Sequence, residues 1–234
     1  MFPASFFDID GTLVKGFLMT GVAHYLHARN LFSERRYAQI ERWLTLFQEK
    51  HVTYRQVVMT VPAIYGQGLK NRPVKTIRQE ARQYVDEVMA TALFPYTLPL
   101  VKMMKSYGMT VGISGAPSEV VDCLGKHFAF DTCYGSTFEV KQGRYTGRLS
   151  RNLTITEAKE TIFQHVLQHH QIDLATSFGF GDTEQDTSIL SRVGYPVALN
   201  PNQALGAIAQ QKGWTVLHAQ DNVMQRVNDL LPRR

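Results

Sequence analysis

Residues 16–92 carry one helical pattern after another and no convincing strand. Yet they stand between two short apolar runs, Ala4 to Ile9 and Met109 to Ile113, of the kind that buried strands have. Further runs follow at Thr176 to Phe180, Pro196 to Leu199 and Trp214 to Leu217, bounded by Gly, Asp or Asn. Near-continuous apolar runs of this length suit strands covered on both faces. Helical patterns separate the later ones. Ile155, Ala158, Ile162 and Val166 keep helical spacing behind an expected capping box of Thr154 and Glu157, and a second pattern runs from Glu184 to Val193 and stops at Gly194. Strands alternating with helices predict a parallel sheet with crossover helices. A hairpin is expected over Phe138 to Thr146, turning at Gln142-Gly143.

Within 16–92, Met19, Val22, Ala23 and Leu26 mark one helix, and Tyr37, Ile40, Leu44 and Phe47 a second, capped at Ser33. A third spans Tyr54 to Tyr65, and a fourth, starting near Pro73, follows Val74, Ile77, Ala81, Val85 and Val88. Aromatic and Met positions here fall on the helical period and read as core rather than as a ligand box. The expected fold class is therefore α/β, a Rossmann-like parallel sheet interrupted by an α-helical bundle. Residues 1–15 and 93–234 make the core, and residues 16–92 the inserted domain.

Composition narrows the classes further. At 234 residues and 44% apolar content the chain can bury a substantial core. Cys123 and Cys133 are too few for a disulfide framework or a zinc site, which suits a reducing, cytoplasmic setting. No signal peptide is expected, because no basic residue precedes the first apolar stretch. No run is long and apolar enough for a membrane span. The net charge of +5 comes from scattered Lys and Arg, so a nucleic-acid partner is not expected.

The chemistry gathers at strand ends. The first strand ends in Asp8-Ile9-Asp10-Gly11-Thr12. In an open α/β sheet, ligands bind beyond the carboxyl ends of the strands. Two acids one residue apart on an extended segment face opposite ways, so they serve different purposes, and Gly11 lets the chain turn directly after them. Alone, the pair also fits an ordinary turn. A second cluster, Asp182-Thr-Glu-Gln-Asp186, follows the Thr176 to Phe180 run, its two acids expected on one helical face. So much like charge calls for a cation, most naturally Mg²⁺. Lys159 shares the inward stripe of Ile155 and Ile162 and needs an anionic partner or a route to solvent. Ser114-Gly115 ends the Met109 run with a hydroxyl and an approachable amide.

Taken in order, these motifs resemble those of the haloacid dehalogenase superfamily of phosphohydrolases. Asp8 to Thr12 is similar to its first motif, Ser114 to the second, Lys159 to the third and Gly181-Asp182-x-x-x-Asp186 to the fourth. The inserted helices, and Gly143-Arg-Tyr-Thr-Gly-Arg-Leu149, resemble the phosphoserine-phosphatase-like branch, in which the insertion is a cap over the site. The resemblance implies a Mg²⁺-dependent phosphatase for a small phosphorylated metabolite. Asp8 would be the nucleophile and Asp10 the general acid, then base. Mg²⁺ would be held by Asp8, Asp182 and the backbone carbonyl of Asp10. Ser114, the Gly115 amide and Lys159 would bind the phosphoryl group, and Asp186 would orient Lys159 or a metal-bound water.

The departures concern recognition. Ungapped alignment puts Phe17 where phosphoserine phosphatases carry a cap glutamate, Gln185 where they usually have Asn, and Ala116-Pro117 where a second Gly is usual. Phosphoserine is thereby disfavoured, and histidinol phosphate or another small alcohol phosphate stays open. His24, His27, Arg55 and Arg72 are cap side chains that could reach the site, whereas His165, His169 and His170 read as a solvated helix end. Two other activities fit the same motifs, a phosphotransferase using the same intermediate and a phospho-accepting signalling domain.

Overall fold

Five apolar runs become parallel strands of one sheet in the computed structural model, which describes residues 1–232. They are β1 (Ala4–Phe7), β2 (Met109–Pro117), β5 (Phe178–Gly181), β6 (Tyr195–Leu199) and β7 (Thr215–Leu217), joined by β3 (Thr132–Lys141) and β4 (Arg144–Arg151) in the order β4-β3-β2-β1-β5-β6-β7. Among the described residues, only the β3–β4 strand pair is antiparallel. It is the expected hairpin. Gln142 (φ 49°) and Gly143 (φ 72°) both take positive φ, as a turn matched to the twist of the strands requires.

Four helices fill the interval after β1: α1 (Leu18–Ala28), α2 (Glu34–Gln48), α3 (Tyr54–Gly68) and α4 (Val74–Thr91). Next come α5 (Thr97–Tyr107), α6 (Ser118–His127), α7 (Thr156–His169), α8 (Thr187–Leu190), α9 (Gln203–Lys212) and α10 (Val223–Leu230). Successive side chains of β1 alternate between two cores. Phe7 belongs to a large cluster shared with α1, α3, α4, α5 and α6, whereas Phe6 packs with Val111, Ile162 and Phe163 against α7. Phe6 meets Phe163 edge-on at 4.8 Å, and Phe7 stacks on Phe180 at 4.7 Å. No helix among the described residues is long and apolar enough to cross a membrane.

Three local expectations are corrected. β1 stops at Phe7, two residues early, because the chain closes a tight loop there. The Leu13 and Val14 amides both donate to the Ile9 carbonyl at 2.9 Å, and the Gly11 amide donates to Val14 at 2.8 Å. The Thr154–Glu157 capping box does not form. Ile155 is the N-cap of α7, and Thr154 donates its hydroxyl to the Val58 carbonyl (2.7 Å) instead. The Glu184 to Val193 helix is a 3-10 turn, Glu184–Asp186, followed by the single-turn α8. Asp186 accepts from the Thr183 amide (3.1 Å), so Asp182 and Asp186 do not share a helical face.

Main-chain hydrogen bonds join the helical interval to the rest of the chain at its two joints and at the hairpin. Val14 bridges Leu93, and the Lys15 amide donates to Ala92 (2.8 Å), so the outgoing and returning chains run side by side. On the far side the hairpin reaches up. The Asn71 amide donates to Tyr145 (2.8 Å), the Tyr145 amide to Arg72 (3.1 Å) and the Val74 amide to Gly143 (2.9 Å).

Candidate active site

The chain runs from β1 outward to β2 and β3, then returns to lay β5 on the other side of β1. β1 and β5 are therefore neighbours at the point where strand order reverses, where their carboxyl ends open a crevice. Asp8 follows one strand and Asp182 the other, and the Asp8 amide donates to the Phe180 carbonyl at 2.9 Å. Lys159 comes from α7. Its ammonium donates to Asp8 and to Asp186, both at 2.6 Å, with all three side chains almost wholly buried. Asp8, Asp182 and Asp186 each offer a carboxylate oxygen within 4.8 Å of the others.

Gly11 makes this closeness possible. Its φ is +70°, and a Cβ there would lie 2.0 Å from a carboxylate oxygen of Asp182. The loop is pinned from behind. Tyr96 donates to the Thr12 carbonyl (2.7 Å), Thr97 to Leu13 (2.6 Å) and Asn200 to Gly11 (3.2 Å). Asp10 is not part of this group of three acids. It accepts from the Leu18 amide (2.6 Å) at the start of α1 and from the Ser114 hydroxyl (2.7 Å).

Charge in the site is lopsided. Burial pushes Asp8 well above the ordinary carboxylate range; Lys159 opposes this, while Asp186 and Asp10 add to it. Burial likewise raises Asp182, with Asp8 and Asp186 adding to the effect. Burial also raises Asp10, against the hydrogen bonds from Ser114 and Leu18. Burial would lower Lys159, but Asp186 and Asp8 outweigh it and hold the ammonium firmly charged. One lysine thus faces four acids. An oxygen-preferring divalent cation is what such a donor set fits, because its charge would return the carboxylates to their ionised form.

A cavity of about 740 Å³, counted with its open mouth, stands over these residues. Asp8, Asp10, Lys159 and Asp182 form its floor beside Gly115 and Ala116. Ser114 does not line it. That side chain is fully buried, its hydroxyl donating to Asp10 and accepting from the Ala116 amide (2.9 Å). Asp186 lies beneath the floor, bound to Lys159. Phe17 does reach the cavity, its ring 6.3 Å from that of Tyr54.

The polar cap candidates do not reach it. His24 pairs with Tyr37 (2.8 Å), and His27 with Glu34, on the outer surface. Arg72 lines a separate basic groove with Arg35, Arg36 and Lys70, and Arg55 is exposed. His169 bonds the His165 carbonyl, and neither these two nor His170 lines the cavity.

Sequence reasoning misses the wall itself. Met19, Leu44 and Phe47 read as core by their period, yet they line the cavity, because the stripe that packs one helix on another runs on into the opening. It also misses the role of Gln185. The side-chain carbonyl of that residue accepts from the amide (3.1 Å) and hydroxyl (2.9 Å) of Thr156, capping the first turn of the helix that carries Lys159.

Known proteins share this fold. The chain is 26% identical over 219 residues to phosphoserine phosphatase SerB1 of Mycobacterium tuberculosis, a match covering 91% of this chain and 70% of that one. A protein of unknown function from Bordetella pertussis Tohama I superposes with a TM-score of 0.77 at 20% identity, covering 94% of this chain and all of the other. A substrate-bound phosphoserine phosphatase gives 0.70 at 15% identity, covering 99% of each chain. A family model of haloacid dehalogenase-like hydrolases matches residues 5–191, a span that contains most of β1, Lys159 and both acids that follow β5. Order of motifs, strand order and sequence match agree, and the chain belongs to the haloacid dehalogenase-like hydrolases, related to their phosphoserine phosphatases.

Proposed function

We propose that this hydrolase is a Mg²⁺-dependent phosphomonoesterase that cleaves a small phosphorylated metabolite through an aspartyl-phosphate on Asp8. The observation that carries this reading is Lys159, fully charged and bonded to Asp8 at the floor of a cavity whose acids outnumber it. A charged lysine beside a carboxylate at a strand end is a receptor for a dianion next to a nucleophile.

In the first step an Asp8 oxygen attacks phosphorus and the bond to the leaving alcohol breaks. Asp10 donates a proton to that alcohol. Its burial favours the protonated form such an acid needs, and the Leu18 amide fixes its orientation. In the second step Asp10, now a carboxylate, takes a proton from water as the water attacks phosphorus and Asp8 leaves. Lys159, the Gly115 amide and Ser114 hold the phosphoryl oxygens, the Ser114 hydroxyl exchanging its Asp10 acceptor for one of them. Asp186 orients Lys159 throughout. Mg²⁺ would be held by Asp8, Asp182 and the Asp10 carbonyl, where it supplies charge neutralisation between nucleophile and phosphate.

Residues 16–92 act in this reading as a cap on the core formed by 1–15 and 93–234. The free thiols Cys123 and Cys133 suit the cytoplasm. The test is phosphate release from aryl phosphate with Mg²⁺ present. Asp8→Asn is expected to lose at least about 1000-fold in kcat while keeping its fold. An Asp8→Asn enzyme within tenfold of the parent would overturn the assignment of the nucleophile.

A further inference from the structure

The cavity is charged at the bottom and largely apolar above it. Four ionisable side chains form its floor, and all are engaged by the proposed reaction. Above them rise α1, α2 and α3, contributing Met19, Leu44, Phe47, Val58 and Val61 beside Phe17, with no Lys, Arg, Asp, Glu or His from these helices among the described lining residues. The few polar side chains on the walls are bonded internally. Thr20 donates to the Phe17 carbonyl (3.0 Å), Thr154 to the Val58 carbonyl (2.7 Å), and Gln185 accepts from Thr156. Tyr54 supplies a hydroxyl among the aromatic rings, held neutral by its burial.

A phosphate monoester seated on that floor points its leaving group into this wall. An ammonium or carboxylate there would lose its water and meet no side chain of opposite charge on these helices, whereas methylenes and rings would gain by leaving water. We propose that the substrate is the phosphate monoester of an uncharged apolar alcohol, alkyl or aryl, selected by the α1–α3 wall. This rests on the phosphomonoesterase reading and differs from the substrate named for the relatives. The amino-alcohol phosphates left open by the sequence rank below apolar esters of the same size.

The test uses the purified full chain with Mg²⁺ and compares kcat/KM for methyl, butyl, hexyl and phenyl phosphate with that for O-phosphoserine. Each added methylene is expected to raise kcat/KM about fourfold until the cavity is filled. Hexyl and phenyl phosphate are expected to exceed O-phosphoserine by at least about 100-fold. Leu44→Glu, which puts a carboxylate on the wall, is expected to bring the hexyl-to-methyl ratio down at least tenfold. A flat alkyl series, or O-phosphoserine matching hexyl phosphate, overturns the inference and leaves the phosphatase reading standing. No phosphate released from any of these esters overturns both.

Discussion

Lys159 is the cation set against Asp8, Asp182 and Asp186, so replacing it with methionine tests whether the site is held by charge. Methionine matches the length and apolar stem of lysine and leaves little cavity, so the loss is electrostatic rather than a packing defect. Two ion pairs at 2.6 Å disappear, and both carboxylates stay buried without a counter-charge. Breaking a buried pair from one side costs about 3–5 kcal/mol. In a chain of this size each kcal/mol moves the melting temperature by about 2–4 °C, so Lys159→Met is expected to melt about 6–20 °C lower at pH 7.5. The measurement is urea and thermal unfolding in EDTA, where no bound cation can substitute for the ammonium.

The loss should depend on pH with a definite sign. A carboxyl whose folded pKa is raised destabilises the protein as pH climbs past its unfolded value, near 4, and goes on doing so up to its folded value. Asp8 is already raised by burial, and removing Lys159 takes away the group that opposes this. The penalty is therefore largest at neutral pH and shrinks as the medium is acidified toward pH 5 and Asp8 takes up a proton. Asp8→Asn in the Lys159→Met background removes one of the unpaired charges and is expected to recover part of the stability with no activity. If Lys159→Met unfolds within 1 kcal/mol of the parent, or loses the same amount at pH 5 as at pH 7.5, the account of the site as a charge-held cluster is wrong.

Gly11→Ala forces a Cβ against Asp182 at a positive φ, and is expected to cost about 1–2 kcal/mol in urea unfolding and at least about 100-fold in kcat/KM on phenyl phosphate. Asp131 is raised by burial, but the Thr110 amide, Lys105 and the Thr110 hydroxyl outweigh this and hold it below the usual carboxylate range. Its contribution is present above pH 4 and is lost as pH falls through the lowered value, so Asp131→Asn should destabilise in urea unfolding at pH 7 by an amount that shrinks as the pH falls below 4. Cys133 is pushed up to about 11 by burial, so its alkylation by iodoacetamide should still be accelerating above pH 10, where an exposed thiol has levelled off; a plateau by pH 10 would contradict that environment.

How legible each part of the molecule is from the chain depends on how far that part relies on its neighbours. Asp8, Asp10 and Asp182 can be located because a strand end is a local event, a run of Phe and Gly that stops at an acid, and the doubly wound sheet then puts every such end on one side. Lys159 is legible from its place on the inward stripe of α7, where a charge demands a partner; that the partners are Asp8 and Asp186 needs the sheet order. Helical spacing links Asp182 to Asp186 for the wrong reason. Their closeness comes from a 3-10 turn in which Asp186 folds back on the Thr183 amide, a competition between side chain and backbone that such spacing does not register. The Thr154 capping box fails because α7 starts one residue later, with Ile155 at the N-cap, and Thr154 is held outside the helix by Asn152 and by the Val58 carbonyl, nearly a hundred residues away in sequence. The cavity wall is the least legible part. An apolar side chain at helical spacing looks the same whether it packs a neighbouring helix or faces an opening, and only the packing of the folded chain separates Leu44 and Phe47, on the wall, from Ile40, fully buried one turn before Leu44. Catalytic residues announce themselves through the cost of burying charge. Recognition by an apolar surface carries no such signature, so the chemistry can be located from the chain and its selectivity only from the fold.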